Sequence, residues 1–531
     1  MPAGIGVSPG RTAGPLYRKA PPPTLPEELP ASTDLGGEVA RASGALRFVA
    51  DTLAGLAAAA TGTAAGVLDA ASAMAADPTL AEGVAERIRQ GRPAAWAVTE
   101  ELAEQRARLA AVGGYLAERV TDLDDIRDRA VAHLLGAPMP GVPDPGEPFV
   151  LVAEDLAPAD TAGLDPATVL AVVTARGGPT SHTAILARAL GLPAVVACPG
   201  ILDLADGSTV LVDGDTGAVE PVPAGAVAGI RAAARRSKAG QPRHTGPGRT
   251  ADGHPVRLLL NIGSAADLDG DPDAEGVGLF RTEFLFLSRD TAPSIDEQRQ
   301  AYAAVFEAAR GRPVVLRTLD AGADKPLPFL GLPAEPNPAL GLRGVRVART
   351  RPHVLADQLT AVHAAAEATG AQVSVMAPMV ATRAEAAAFA AQAHAAGLPV
   401  AGVMVEIPAA ALQAHRLLEV VDFLSIGTND LSQYTLAADR ESGDLADLLD
   451  PWQPALLQLI ATCAAAGRAA GKPVGICGES AAEPRLAPVF AGLGITSLSM
   501  SAASLPAVRA ALAAHTLADC RHLAETALTR P

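Results

Sequence analysis

The chain has 531 residues, 49% of them hydrophobic and 19% charged, a length and balance that suit three or four globular domains. Its net charge of −16 argues against nucleic acid or an anionic membrane as the main partner and suits a basic surface on another molecule. Four cysteines without CxxC spacing (Cys198, Cys463, Cys477 and Cys520), and no early signal-peptide pattern, point to a reducing, cytoplasmic setting and against a disulfide scaffold.

In chain order, "GIGVSPGRTAGPLY" reads as a strand and turn. Residues 30–140 follow a helical pattern, with acidic residues dominating the polar face of runs such as "LAEGVAERIRQG". Within it, "TLAGLAAAATGTAAGVL" is too short and too weakly apolar to span a bilayer and reads as a packed helix. The Pro/Gly-rich "APMPGVPDPGEP" then marks a boundary. After it, short β runs surround a helical segment that opens near His182, a compact mixed domain that the first strand can join. Residues 1–29 with 141–225 would form that domain, and 30–140 would be a helical insertion into it. The basic, Gly/Pro-containing stretch 226–250 reads as a mobile connector. From 251 to 531, eight apolar strands alternate with helical segments, from "RLLLNIG" to "TSLSMS". That count fits a (β/α)8 barrel, whose reactive groups sit at the carboxyl ends of its strands.

The polar residues of the barrel segment fall at those ends. Arg281, Arg317, Glu406, Asn429, Asp430 and Cys477 all follow apolar runs closely. Taken singly, each Arg or acid is an ordinary surface ion pair; six at successive strand ends describe one mouth. The guanidinium fork matches phosphate or carboxylate oxygens, so Arg281 and Arg317, with Arg343 and Arg440, suit an anionic substrate. Glu406 and Asp430 offer hard oxygen ligands for a divalent cation, Mg2+ first and Mn2+ close behind. Cys477 taken alone is an inert small hydrophobe, but at the mouth it admits a proton donor or a nucleophile. No His/Asn partner of a cysteine hydrolase is evident, which weakens the nucleophile. In "GGPTSHTAILAR" the glycines allow close backbone approach, and Thr180 or Ser181 can cap a first helical turn. The free N–H groups and positive dipole end there would stabilise a phosphoryl group on the His182 ring, so His182 reads as a phosphate carrier.

The stretches "GGPTSHTAILARALGLPAVV", "EGVGLFRTEFLFLSRD", "VVLRTLDAGADKPLP", "NPALGLRGVR", "GVMVEIPAAA", "SIGTNDLSQYTLAADR" and "GICGES" resemble the phosphoenolpyruvate-protein phosphotransferases, Enzyme I of the bacterial sugar phosphotransferase system. The resemblance runs from about Gly4 to the C-terminus. It implies a multidomain α/β chain: a swivelling phosphohistidine domain, an inserted helical subdomain that docks the carrier HPr, and a phosphoenolpyruvate-binding barrel that dimerises. It further implies autophosphorylation of His182, release of pyruvate, and transfer to HPr. By motif position, Arg281, Arg317, Arg440 and Asn429 would bind phosphoenolpyruvate, with Lys325 and Arg343 assisting. Glu406 and Asp430 would hold Mg2+, and Cys477 would protonate the enolate. A dikinase or phosphoenolpyruvate synthase shares both catalytic parts but carries a large nucleotide-grasping domain for which 30–140 leaves little room. A non-catalytic relative would have lost one of these groups, and none is lost. Ala71 and Thr360 depart from residues that relatives often carry, which puts carrier specificity in question.

Overall fold

The computed structural model describes residues 4–26, 34–59, 63–112, 120–156, 160, 164–178, 182–240, 244–286, 289, 291–322, 327–333, 335–439, 445 and 448–529. The chain divides into two compact units, Met1–Gly240 and Gln241–Pro531.

The first unit is built on a seven-stranded sheet of order β1-β5-β4-β3-β2-β6-β7. Its strands are β1 (Ile5–Ser8), β2 (Arg11–Arg18), β3 (Phe149–Ala153), β4 (Val169–Thr174), β5 (Ala194–Val196), β6 (Thr209–Asp213) and β7 (Ala218–Pro221). The N-terminal stretch thus joins the sheet, with β2 parallel to β3 and antiparallel to β6. The central strand β3 is buried throughout because both faces are covered. Phe149, Leu151 and Ala153 enter one core while Val150 and Val152 enter the other, as the two-residue period of a strand dictates.

Between β2 and β3 the chain leaves the sheet for a helical segment whose described helices are α1 (Leu35–Ala59), α2 (Thr63–Ala75), α3 (Pro78–Arg89), α4 (Ala94–Val112) and α5 (Val120–Leu135). They bury a core of their own around Leu46, Val49, Leu53, Ile88, Val98 and Ile126. Asp77 caps α3 by accepting the Thr79 N–H, with Pro78 at the first helical position. Ala71 is 5% exposed within this core, so it offers a carrier no contact surface. The entry and exit segments are neighbours: the Ala20 N–H donates to the Gly141 carbonyl at 2.9 Å. Behind them, Asp160 accepts from Lys19 and, at 3.1 Å, from Arg129 of α5, which also pairs with Asp125 at 2.7 Å. Helix α6 (His182–Leu190) follows β4.

One expectation needs correction. Within 226–250, expected to be a mobile connector, Val227–Gly240 forms helix α7, packed on β2 with Arg231 Nε donating to the Ala13 carbonyl at 2.6 Å. The alanine and arginine that make the segment look basic and mobile are also good helix formers, and they outweigh its glycines.

The second unit is a closed, all-parallel barrel of eight strands: β8 (Arg257–Ile262), β9 (Val277–Arg281), β10 (Val314–Arg317), β11 (Val373–Ala377), β12 (Ala401–Val405), β13 (Phe423–Ile426), β14 (Val474–Ile476) and β15 (Ser497–Met500). The expected fold class holds. Helices that matter below are α8 (Ile295–Ala308), α9 (Pro352–Thr369) and α10 (Thr428–Leu436). Among the described residues no helix is long and apolar enough to cross a membrane, and all four cysteines are buried thiols.

Candidate active site

The barrel gathers most of the sequence-chosen residues at one end. Arg281 is the last residue of β9 and Arg317 the last of β10, and the two stand in register on adjacent parallel strands. Glu406 and Cys477 each follow directly on a strand, β12 and β14, while Asn429 and Asp430 occupy the first turn of α10 after β13. The local logic is common to all: an apolar strand runs through the barrel wall and its first polar residue emerges at the mouth. Leu279, Met376 and Met404 pack with Cys477 in a buried apolar cluster.

Two guanidiniums in register repel, so their surroundings must compensate. Arg317 is buried. It meets Glu283 Oε1 at 3.0 Å, Asp320 Oδ2 at 3.4 Å and Glu406 Oε1 at 3.8 Å. Burial works against its charge, but these three acids hold its pKa above the ordinary arginine value. Its Nε is buried without a hydrogen-bond partner among the described residues. Arg281 is exposed at the mouth, and desolvation by the surrounding barrel wall, then the Arg317 charge, lowers its pKa. An anion spanning this pair would relieve both strains.

Arg343, 1% exposed, is the best-anchored cation. Its Nε and one terminal nitrogen grip Asp320 bidentately at 3.0 Å each, and the other terminal nitrogen donates to Asp430 Oδ1 at 3.0 Å. The next residue, Gly344, sits at φ +58°, where an added Cβ would lie 3.0 Å from that of Met379. Glycine therefore lets the Arg343 loop pack closely against Pro378 and Met379. Met379 is itself left-handed at φ +58°, and its N–H donates to Glu406 Oε2 at 2.8 Å. A strained backbone thus aims the carboxylate.

Glu406 shows how charge stands here. Burial first, then repulsion by Asp430 and Asp320, pushes its pKa up to about 7 against the pull of Arg317 and Arg343. Among the described residues Glu283, Asp320, Glu406 and Asp430 face Arg317, Arg343 and Arg281, and the mutual repulsion of Glu406, Asp430 and Asp320 is one that a divalent cation would relieve. No group of three metal-competent His, Cys, Asp or Glu side chains exists among the described residues. A cation here would take two carboxylates and fill its shell with substrate and water oxygens, a donor set suited to a hard ion.

Cys477 is buried, and the Ser425 hydroxyl donates to its Sγ at 3.2 Å. Burial raises its pKa to about 11, Ser425 pulling the other way, so the thiol keeps its proton near neutrality. Asn429 Oδ1 accepts the Glu479 N–H at 3.0 Å, tying the loops after β13 and β14 together. His182 opens helix α6 of the other unit, but its imidazole, like Thr180, Ser181, Lys325 and Arg440, lies outside the described residues.

Three stretches match the PEP-utilising enzymes: residues 3–119 their N-terminal part, 145–217 the mobile domain, and 237–517 the PEP-binding domain. A phosphoenolpyruvate-protein phosphotransferase of Streptomyces coelicolor is 54% identical over 99% of this chain and 95% of its own. The chain belongs to the phosphoenolpyruvate-protein phosphotransferases. One from Haloferax volcanii is 44% identical over 87% of this chain and 84% of its own, and one from Streptococcus equinus 38% identical over 100% and 96%. The chain is thus a phosphotransferase of the phosphoenolpyruvate-utilising class, whose members need a divalent metal, and neither the dikinase nor the non-catalytic alternative is favoured.

In this phosphotransferase, four contributors escape sequence reasoning: Glu283, Asp320, Met379 and Ser425. The first two were signalled by acids two and three residues past the arginines in "RTEF" and "RTLD". Ser425 and Met379 carried no signal, since only the closed barrel brings them to Cys477 and Glu406.

Proposed function

We propose that the chain carries out the first step of sugar uptake by the phosphotransferase system: His182 takes the phosphoryl group of phosphoenolpyruvate, pyruvate leaves, and the group passes to a histidine of HPr. Arg281 and Arg317, with Arg440 and Asn429, hold the substrate's anionic groups, and Lys325 and Arg343 assist. The observation that carries this reading is the registered pair Arg281 and Arg317, crowded by like charge, above a protonated buried thiol.

In the transfer the bond from phosphorus to the enol oxygen breaks and one from phosphorus to a ring nitrogen of His182 forms. The electron pair left on the enolate takes a proton at its terminal carbon from Cys477 Sγ, giving pyruvate and a thiolate that regains a proton from water. Arginine and backbone donors neutralise and align the group, which is most of what phosphoryl transfer requires. Glu406 and Asp430 would hold Mg2+, or Mn2+, which when bound supplies positive charge to the substrate's oxygens. The helical insertion docks HPr, the protein works in the cytoplasm as a homodimer joined through the barrel, and His182 reaches both partners by domain rotation. The division of labour follows the sequence boundaries: 1–29 with 141–225 carries His182, 30–140 binds HPr, and 251–531 binds phosphoenolpyruvate.

Intact mass after mixing with phosphoenolpyruvate and Mg2+, beside His182→Ala and with or without HPr, tests this. The expected result is an acid-labile gain of roughly 80 Da, one phosphoryl group, absent from the variant and lost to HPr. No gain in the wild type, or the same gain in the variant, overturns it.

A further inference from the structure

Behind the arginines lies a polar chain that the proposed mechanism does not use. Helix α9 turns an apolar face to the barrel through Leu355, Leu359 and Val362, yet the same face carries Gln358 at 0% exposure. An amide buried among such neighbours persists only if its bonds are made. They are made in three directions. Its Nε2 donates to Thr282 Oγ1 at 3.1 Å and to the Tyr302 hydroxyl at 3.0 Å, and its Oε1 accepts the Leu319 N–H at 2.9 Å. The Thr282 hydroxyl in turn donates to the Arg317 carbonyl at 3.0 Å. Tyr302, on α8, donates to Gln298 Oε1 at 3.1 Å, and Gln298 donates to the Pro293 carbonyl at 3.0 Å. Donor and acceptor roles along this chain are consistent throughout, so each member fixes the next.

Where the chain ends matters more than its length. Thr282 directly follows Arg281, and Leu319 lies between Arg317 and Asp320, the residue that grips Arg343. The network therefore fastens the ends of β9 and β10, where two like charges push apart and the ladder between the strands stops. We propose that Gln358, acting through Thr282 and the turn after Arg317, is a positioning residue that sets the spacing of Arg281 and Arg317 and so the affinity for the anionic substrate. It touches no substrate atom. The inference rests on the reading that these arginines bind phosphoenolpyruvate, and a displacement on the order of 1 Å in such a pair is enough to be felt in binding and rate.

The test compares KM for phosphoenolpyruvate and kcat for phosphoryl transfer to HPr in the wild type, Thr282→Val, Thr282→Ser, Gln358→Leu and Tyr302→Phe of the full chain, with thermal midpoints alongside. Thr282→Val and Gln358→Leu are expected to raise KM about tenfold with kcat within about threefold, because the loss falls on substrate held before the chemistry. Thr282→Ser, which keeps the hydroxyl, should stay within about twofold of wild type, and Tyr302→Phe should show about a threefold rise in KM. A folded Thr282→Val with wild-type KM overturns the proposal, as does a KM rise that Thr282→Ser reproduces in full. Should Gln358→Leu not fold, Thr282→Val decides alone. A wild type that takes up no phosphoryl group from phosphoenolpyruvate instead overturns the functional reading, and this inference falls with it.

Discussion

Two buried ionic clusters, one in each unit, put the same side chains to opposite uses. Where the helical insertion meets the sheet, Lys19 and Arg129 face Asp160 and Asp125, two cations against two anions, all turned inward. At the barrel mouth, among the described residues, Glu283, Asp320, Glu406 and Asp430 face Arg317, Arg343 and an exposed Arg281, and Arg317 keeps a buried Nε without a partner. A balanced cluster fixes geometry. At the mouth, by contrast, the in-register pair Arg281 and Arg317 and the unpartnered Nε of Arg317 leave donors for an anion.

Substitutions break the comparison in order of size. Arg343→Met leaves Asp320 and Asp430 buried without their main cation and should cost about 3–5 kcal/mol in urea unfolding of the barrel unit, besides its activity. Asp160→Ala takes from Lys19 its carboxylate and leaves Arg129 with Asp125 alone, and should cost about 2–3 kcal/mol in the N-terminal unit, with the barrel's own transition unmoved. Arg281→Ala, at an exposed position, should leave both transitions in place yet slow phosphoryl uptake, followed by intact mass, by about a hundredfold. If Arg281→Ala unfolds the barrel, the distinction between structural and ligand-seeking charge fails.

A gentler probe is pH. Burial pushes Cys463 up to about 12 and Cys520 up to about 11. Since these folded pKa values lie above that of an unfolded thiol, about 8.5, the stability they contribute is complete below that pH and is lost as pH rises toward about 11 and 12. A urea midpoint flat near neutrality and falling above about pH 9, with thiols slow toward an aromatic disulfide until urea is added, is the expected outcome. Least of all, Thr360→Arg should change stability by under about 0.5 kcal/mol and leave KM alone, because Thr360 lies exposed on α9 with its hydroxyl bonded only to the Ala356 carbonyl.

The barrel was legible because eight apolar runs each ended in a polar residue, a pattern carried locally and repeated. The arginines and acids of the mouth could be read for the same reason. Asp320 and Glu283 were less legible, since an acid near an arginine looks like any surface pair until the barrel turns both inward. Gln358 sits in an ordinary amphipathic helix, and its partners lie 39, 56 and 76 residues away. The cluster at Asp160 joins residues from three separate segments. Helix α7 was missed for a local reason: Gly and Arg signal a linker as readily as they sit in an exposed helix.

The bridge between Ala20 and Gly141 has an evolutionary consequence. Because the chain departs from the sheet and returns to it at one point, the sheet experiences the helical insertion as it would a single long loop. Such an attachment lets the inserted body be remodelled, enlarged or exchanged through recombination at two neighbouring seams, without disturbing the strand order of the sheet on which the helix bearing His182 is built. If the insertion binds the acceptor, as proposed, the choice of acceptor can drift while the sheet that supports the donor chemistry stays fixed.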